Sequence, residues 1–251
     1  MKKRLVIIFF IAIPVILLAI KLNNYFWGAK ILGDTDINLS YLKIVPKRRY
    51  IDKNLAFPHS MLYTLGNIQF KVPRNDTLLT YKVRNSYQSF KFQNNAHLLV
   101  FKDSIPFNLS RQLALIKSTD YSLIKNFADQ NKLTSNFDLL LYTYKKVPDD
   151  VSFFNLSTKN TIIQYTFLKL KNNFLGIGCD TGFYFFNLNH VRGFQFGKPG
   201  YTKKTIISLY TKNDESYTIY SYGLKQTELD YIINSIDDSP DGSAVSHNLA
   251  Q

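Results

Sequence analysis

Cysteine is nearly absent from this chain: Cys179 is the only one in 251 residues. A lone cysteine excludes an intrachain disulfide and any disulfide-stapled scaffold. It also lies far from the N-terminus, so no cysteine there can carry a lipid anchor. The four histidines, His59, His97, His190 and His247, show neither H-x-x-x-H nor C-x-x-C neighbours, and no metal site or other cofactor is expected. Acidic residues are scarce as well, with 18 Asp and Glu against 31 Lys and Arg, a net charge of +13. Such a surplus favours anionic partners such as lipid headgroups, nucleic acid or acidic proteins. The basic residues are scattered, however, apart from one knot at Lys43–Lys53, and no nucleic-acid partner is expected. There is no internal repeat of 20–50 residues.

What is present points to a folded, sheet-rich chain. Hydrophobic residues make up 45%, enough for a core, and 17 Tyr with 20 Phe favour strands. The most specific signal is the opening "MKKRLVIIFFIAIPVILLAIKLNNYFW". Leu5 to Ile20 is an unbroken apolar run, about 24 Å long as a helix at about 1.5 Å per residue. Lys2, Lys3 and Arg4 precede it, Lys21 can snorkel, and Tyr25, Phe26 and Trp27 suit a membrane interface. The reading is an uncleaved signal anchor over residues 1–27, with its transmembrane helix at about 5–21. The alternative is a cleaved leader, but no small-x-small site follows the run. The basic N-terminal flank orients the N-terminus to the cytosol and the domain to the periplasm or the exterior.

Residues 28–57 read as a linker, 58–238 as one extracytoplasmic domain and 239–251 as a disordered tail. "MLYTLGNIQFKVP" predicts a hairpin turning at Gly66-Asn67, and "YQSFKFQ" with "AHLLVF" a second strand pair. Helices are expected after Ser118 or Thr119, with Tyr121, Ile124, Phe127 and Ala128 inward, and after Ser135, with Phe137, Leu140, Leu141 and Tyr144 inward. "STKNTIIQYTFLKLK" predicts a third. "KTIISLY" and "YTIYSY" form a hairpin, and Thr227 is expected to cap a last helix with Leu229, Ile232, Ile233 and Ile236 on one face. Strands, helices, strands, then a helix imply an α+β fold with a mainly antiparallel sheet.

Leu175–Gly200 holds Cys179, His190, Arg192 and a run of glycines, and so invites an active-site reading. Strand geometry argues against a Cys179–His190 pair. "CDTGF" is a natural hairpin loop, and alternation places His190 on the opposite face, about 23 Å along at about 3.3 Å per residue. The glycines do not form a dinucleotide loop either, because "FYFF" continues as a strand where a helix must open. Phe183 and Phe185 face one way, Tyr184 and Phe186 the other, as in a strand buried on both sides. Helices are therefore expected on both faces of the sheet. Arg192 is expected at the solvated surface. The segment from Asp237 departs from a calcium loop at positions 3 and 12, which are Ser239 and Asn248. Asp149-Asp150 after Pro148 reads as a turn or helix start.

The hairpin "LYTLGNIQFKVP", the antiparallel strands and the late helix resemble the PsbP-like α/β/α sandwich. The "GFQFG" strand at Gly193–Gly197 is similar to one in uncharacterised bacterial membrane-anchored proteins. The resemblance spans about residues 58–238. It implies the sandwich architecture and transfers no catalytic residue. The functional expectation is a membrane-anchored, non-catalytic protein that binds the bilayer and a protein partner in the envelope. Lys47, Arg48 and Arg49 are the candidates for an anionic surface. The alternative is a secreted or tethered hydrolase whose site converges only in three dimensions.

Overall fold

The computed structural model describes residues 12–23, 42–74, 77–93, 95–103, 109–115, 121–148, 158–174, 182–199 and 204–238. Two compact units emerge. One comprises residues 1–45, 108–134 and 138–175, and the other residues 46–107, 135–137 and 176–251. Together they form an α+β fold with a mainly antiparallel sheet and, among the described residues, six helices.

Among the described residues the sheet unit carries eleven strands: β1 (Lys47–Arg48), β2 (Met61–Leu65), β3 (Ile68–Val72), β4 (Leu78–Arg84), β5 (Tyr87–Phe92), β6 (His97–Lys102), β7 (Phe183–Asn187), β8 (Val191–Phe196), β9 (Lys204–Thr211), β10 (Ser216–Tyr222) and β11 (Asp237–Asp238). Eight form a large sheet in the order β1-β7-β8-β9-β10-β6-β5-β4, and β11-β3-β2 form a small one. The β7–β10 and β4–β6 meanders join where β6 pairs antiparallel with β10, while β1 joins parallel to β7. The expected hairpin is β2-β3, where Gly66 has φ of 58°, open to glycine at the first central position of a type II′ turn.

The alternating pattern of each strand sorts the core. Phe90, Leu98, Tyr217, Ile219, Ile207, Leu209 and Phe186 point from the large sheet to one side, the inner face. They share a core with Tyr63, Phe70 and Val72 of the small sheet and with Leu229, Ile232 and Ile233 of the helix Gln226–Asn234. Ring pairs such as Tyr63–Phe90, 4.7 Å apart between centroids, lock the two sheets together. Gly193 is needed on β8 because Phe186 of β7 lies across it: a Cβ there would come 2.7 Å from Phe186 Cζ. On the outer face Phe183 stacks on Phe196 at 4.8 Å, and Phe137 stacks on Phe194 at 5.0 Å. The strand β7 is thus apolar on both faces, as its sequence implies, although it lies one strand from the sheet edge.

The helical unit contains α1 (residues 12–23), α2 (Leu109–Leu115), α3 (Tyr121–Gln130), most of α4 (Asn136–Lys145) and α5 (Thr158–Phe174). Phe127, Tyr142 and Phe167 knit α3, α4 and α5 at centroid distances of 4.9 to 5.7 Å. Tyr121, expected inward, is 40% exposed at the first residue of α3. Lys171 is fully buried in α5, and its Nζ donates to the carbonyls of Leu42 (2.8 Å) and Lys146 (2.6 Å).

Three further differences have local causes. The last helix, α6 (Gln226–Asn234), takes Lys225 as its N-cap instead of Thr227. That placement puts Glu228 at the third helical position, where its Oε2 accepts the Lys225 backbone N–H at 2.6 Å. Residues 46–57, read as linker, include β1 and the buried Ile51; two residues of strand are too short to leave a periodic signature. The strand β4 was not foreseen, because a bulge between Leu78 and Thr80 breaks its alternation. Among the described helices none is long and apolar enough to cross a membrane, and residues 5–11 of the apolar run lie outside the described residues.

Candidate binding face of the large sheet

The outer face of the large sheet is open where β4, β5, β6 and β10 run side by side. Register places Thr80, Lys82 and Arg84 of β4 beside Lys91, Ser89 and Tyr87 of β5. Leu99 and Phe101 of β6 continue the same face, and Phe101 stacks on Tyr220 of β10 at 5.5 Å. The result is a shallow concavity of about 750 Å³ floored by Tyr87, Leu99 and Phe101. Lys82 lines it, and Arg84, Lys91 and Lys204 are exposed on the surrounding strands, with Arg84 5.8 Å over the Tyr87 ring and Lys204 Nζ 4.4 Å over the Tyr220 ring. Aromatic rings half open to solvent beside cations suit a ligand that is apolar in part and negatively charged.

Two titratable groups sit within the face. Burial, with Lys91 adding to it, holds the His97 imidazole below its ordinary value, and Ser89 Oγ is 2.9 Å from His97 Nε2. Burial raises the Asp103 carboxyl, partly offset by hydrogen bonds, one of them the 3.0 Å contact from Thr218 Oγ1. A serine–histidine pair becomes a nucleophile when a third group orients the base. Asp103, the acidic residue lining the concavity, is at the far end of His97's own strand, about 20 Å away at about 3.3 Å per residue. It does not complete such a triad. Among the described residues no three His, Cys, Asp or Glu side chains converge to hold a metal ion.

The residues singled out from the sequence are dispersed. Lys2, Lys3, Arg4, Trp27, Asp149, Asp150, Cys179 and His247 lie outside the described residues. Lys21 is in α1. Lys47 and Arg48 are exposed in β1, and the Arg48 guanidinium lies 5.1 Å over the Tyr50 ring. Arg49 turns the other way: its Nη1 is 2.7 Å from Asp230 Oδ1 of α6, and its side chain is 12% exposed. His190 Nδ1 is 3.6 Å from the exposed Asp237, and His59 is exposed. Arg192, expected at the surface, donates to Ser135 Oγ at 2.9 Å and covers the Phe137 ring at 4.8 Å. It is drawn in because its strand neighbour Phe194 stacks on the same ring.

Sequence reasoning missed the open face. A signal was there: Leu99 and Phe101 of β6, and Tyr220 and Tyr222 of β10, recur at every second position. The same signal also describes an ordinary half-buried strand, so only the topology singles it out.

Fold and face together define an α+β protein with a mainly antiparallel sheet whose outer face, among the described residues, exposes aromatic rings beside cations. No family model, no curated protein and no solved structure matches this chain.

Proposed function

We propose that this protein is a membrane-anchored, non-catalytic binding protein of the cell envelope, and that its sheet unit engages an envelope protein through the open outer face. The observation that carries the reading is the concavity over Tyr87, Leu99 and Phe101, which offers apolar area and positive charge but, among the described residues, no assembled catalytic group. The anchor is supported by α1, in which Ile13, Val15, Ile16, Leu18 and Leu22 are 50 to 60% exposed. Apolar side chains left open along a helix call for an apolar surrounding. Lys2, Lys3, Arg4, Lys21 and Trp27 flank the span, with the N-terminus cytosolic and the domain periplasmic or extracellular. Lys47 and Arg48 remain available to anionic headgroups, whereas Arg49 is held by Asp230.

Two measurements test this reading. The protein should stay in the membrane fraction after alkaline carbonate washing, and a reporter fused after Gln251 should be active only outside the cytosol. A photo-crosslinking residue in place of Leu99 should capture an envelope protein in cells, while one in place of His59 should not. Release by carbonate, or equal capture from both positions, overturns it. The hydrolase alternative rests on the Ser89–His97 contact, and loss of an esterase or amidase activity in Ser89→Ala would favour it.

A further inference from the structure

We propose that β4 is the docking edge of this face and receives an extended acidic segment of the partner protein as a ninth strand. The inference rests on the reading above only in taking a polypeptide as the ligand. Among the described residues β4 pairs on one side alone, with β5, so its other side offers backbone donors and acceptors along the sheet edge. The opposite edge of the large sheet is β1, a strand of only two residues. The bulge in β4 is confined to its start, and Thr80–Arg84 keep regular register with β5.

The side chains of β4 specify the guest. Thr80, Lys82 and Arg84 project onto the outer face, with Lys91 behind them. Tyr81 and Val83 project to the other side, and Val83 is 56% exposed. A strand laid beside β4 alternates in the same way. Its outer positions meet Lys82 and Arg84 and suit Asp or Glu, while its intervening positions lie beside Tyr81 and Val83 and suit apolar residues. The cations repel a second copy of this chain, which would set Lys82 and Arg84 against themselves in a protein of net charge +13. They therefore exclude self-pairing and leave the edge open to an acidic strand. A ladder of backbone groups also selects among anionic ligands. A peptide can pair with it, and neither a lipid headgroup nor a nucleic acid has the complementary repeat.

The test uses the full-length protein in nanodiscs and a displayed library of random twelve-residue peptides. Selection should enrich peptides in which Asp or Glu alternate with apolar residues. An enriched peptide, synthesised with a fluorophore, should bind about tenfold more weakly to the Lys82→Glu/Arg84→Glu variant, more weakly at high salt, and detectably more weakly to Lys82→Ala/Arg84→Ala. Both positions are exposed, so the variants retain the fold, as thermal melting verifies. Hydrogen exchange should show new protection at residues 80–84 and none at β2, the uncharged edge strand of the small sheet. Enrichment of neutral or basic peptides, affinity unchanged by the substitutions, or protection at β2 overturns the inference. So does charge-dependent binding of phosphatidylglycerol vesicles or oligothymidine without peptide enrichment. If Leu99 crosslinks persist in Lys82→Glu/Arg84→Glu, the binding face stands and strand addition alone fails.

Discussion

Arg49 and Asp230 meet 2.7 Å apart beneath α6, with 12% and 11% of their side chains exposed. The contact is chiefly one of charge, since among the described residues none of Arg49 Nε, Nη1 and Nη2 makes a well-aligned hydrogen bond. Burial lowers the arginine's affinity for its proton and raises the carboxyl's, in each case against the attraction of the partner. Desolvation thus outweighs attraction. The pair behaves as a positional lock that ties the chain before β2 to the last helix, and contributes little net stability.

Removing one member should therefore hurt more than removing both. Arg49→Met or Asp230→Leu alone should destabilise the fold by about 3 kcal/mol, because each strands a buried charge. The double variant Arg49→Met/Asp230→Leu should recover most of that loss. Urea titrations of the four proteins decide it, and additive losses would refute the account.

Gly193→Ala should destabilise by about 2–3 kcal/mol, since the new methyl runs into Phe186 and the Ser208 carbonyl oxygen. The carbonyl belongs to the β9 backbone and cannot step aside. Phe186→Leu in the same chain should accordingly fail to restore the melting temperature, and full restoration would show that the ring alone sets the limit.

In the helical unit, Lys171→Met should cost about 2–3 kcal/mol. Methionine fills the volume but leaves the Leu42 and Lys146 carbonyls without their donor. Denaturant unfolding followed by tyrosine fluorescence would report the loss, and an unchanged midpoint would mean that water replaces the ammonium.

The open face has a pH signature. Asp103 is held above the ordinary 3.8 by burial, so just above that pH the folded chain keeps a proton that the unfolded chain has released. Stability from this group falls as pH rises from 3.8 through the native pKa. The melting temperature of Asp103→Asn minus that of the wild type should therefore grow between pH 4 and pH 7, and a flat difference would count against it. His97 has the opposite sense: its pKa lies below 6.5, the unfolded chain binds more protons, and stability rises with pH up to 6.5. Lys91→Gln should move the His97 resonance titration upward in two-dimensional NMR.

Much of the architecture is legible locally. The β2-β3 turn at Gly66-Asn67, the β9-β10 hairpin, and the face of α6 formed by Leu229, Ile232 and Ile233 each follow from periods of 2 or 3.6 within a few residues. The two-sided apolarity of β7 is legible too, and Phe183–Asn187 and Val191–Phe196 are strands, whereas Cys179 lies outside the described residues. Where the pattern is broken, as in β4, or too short, as in β1, the sequence is silent because the strand exists only through its neighbour.

Spacing along the chain is enough to specify the α+β class, most of the strands and helices, and the apolar run at the N-terminus. Tertiary structure alone decided that Arg49 faces inward, that Lys225 rather than Thr227 caps α6, and which stretch of sheet stays uncovered. Those outcomes depend on which distant residue arrives to pair a charge, accept a hydrogen bond or bury a ring. Spacing within a single element carries no record of that.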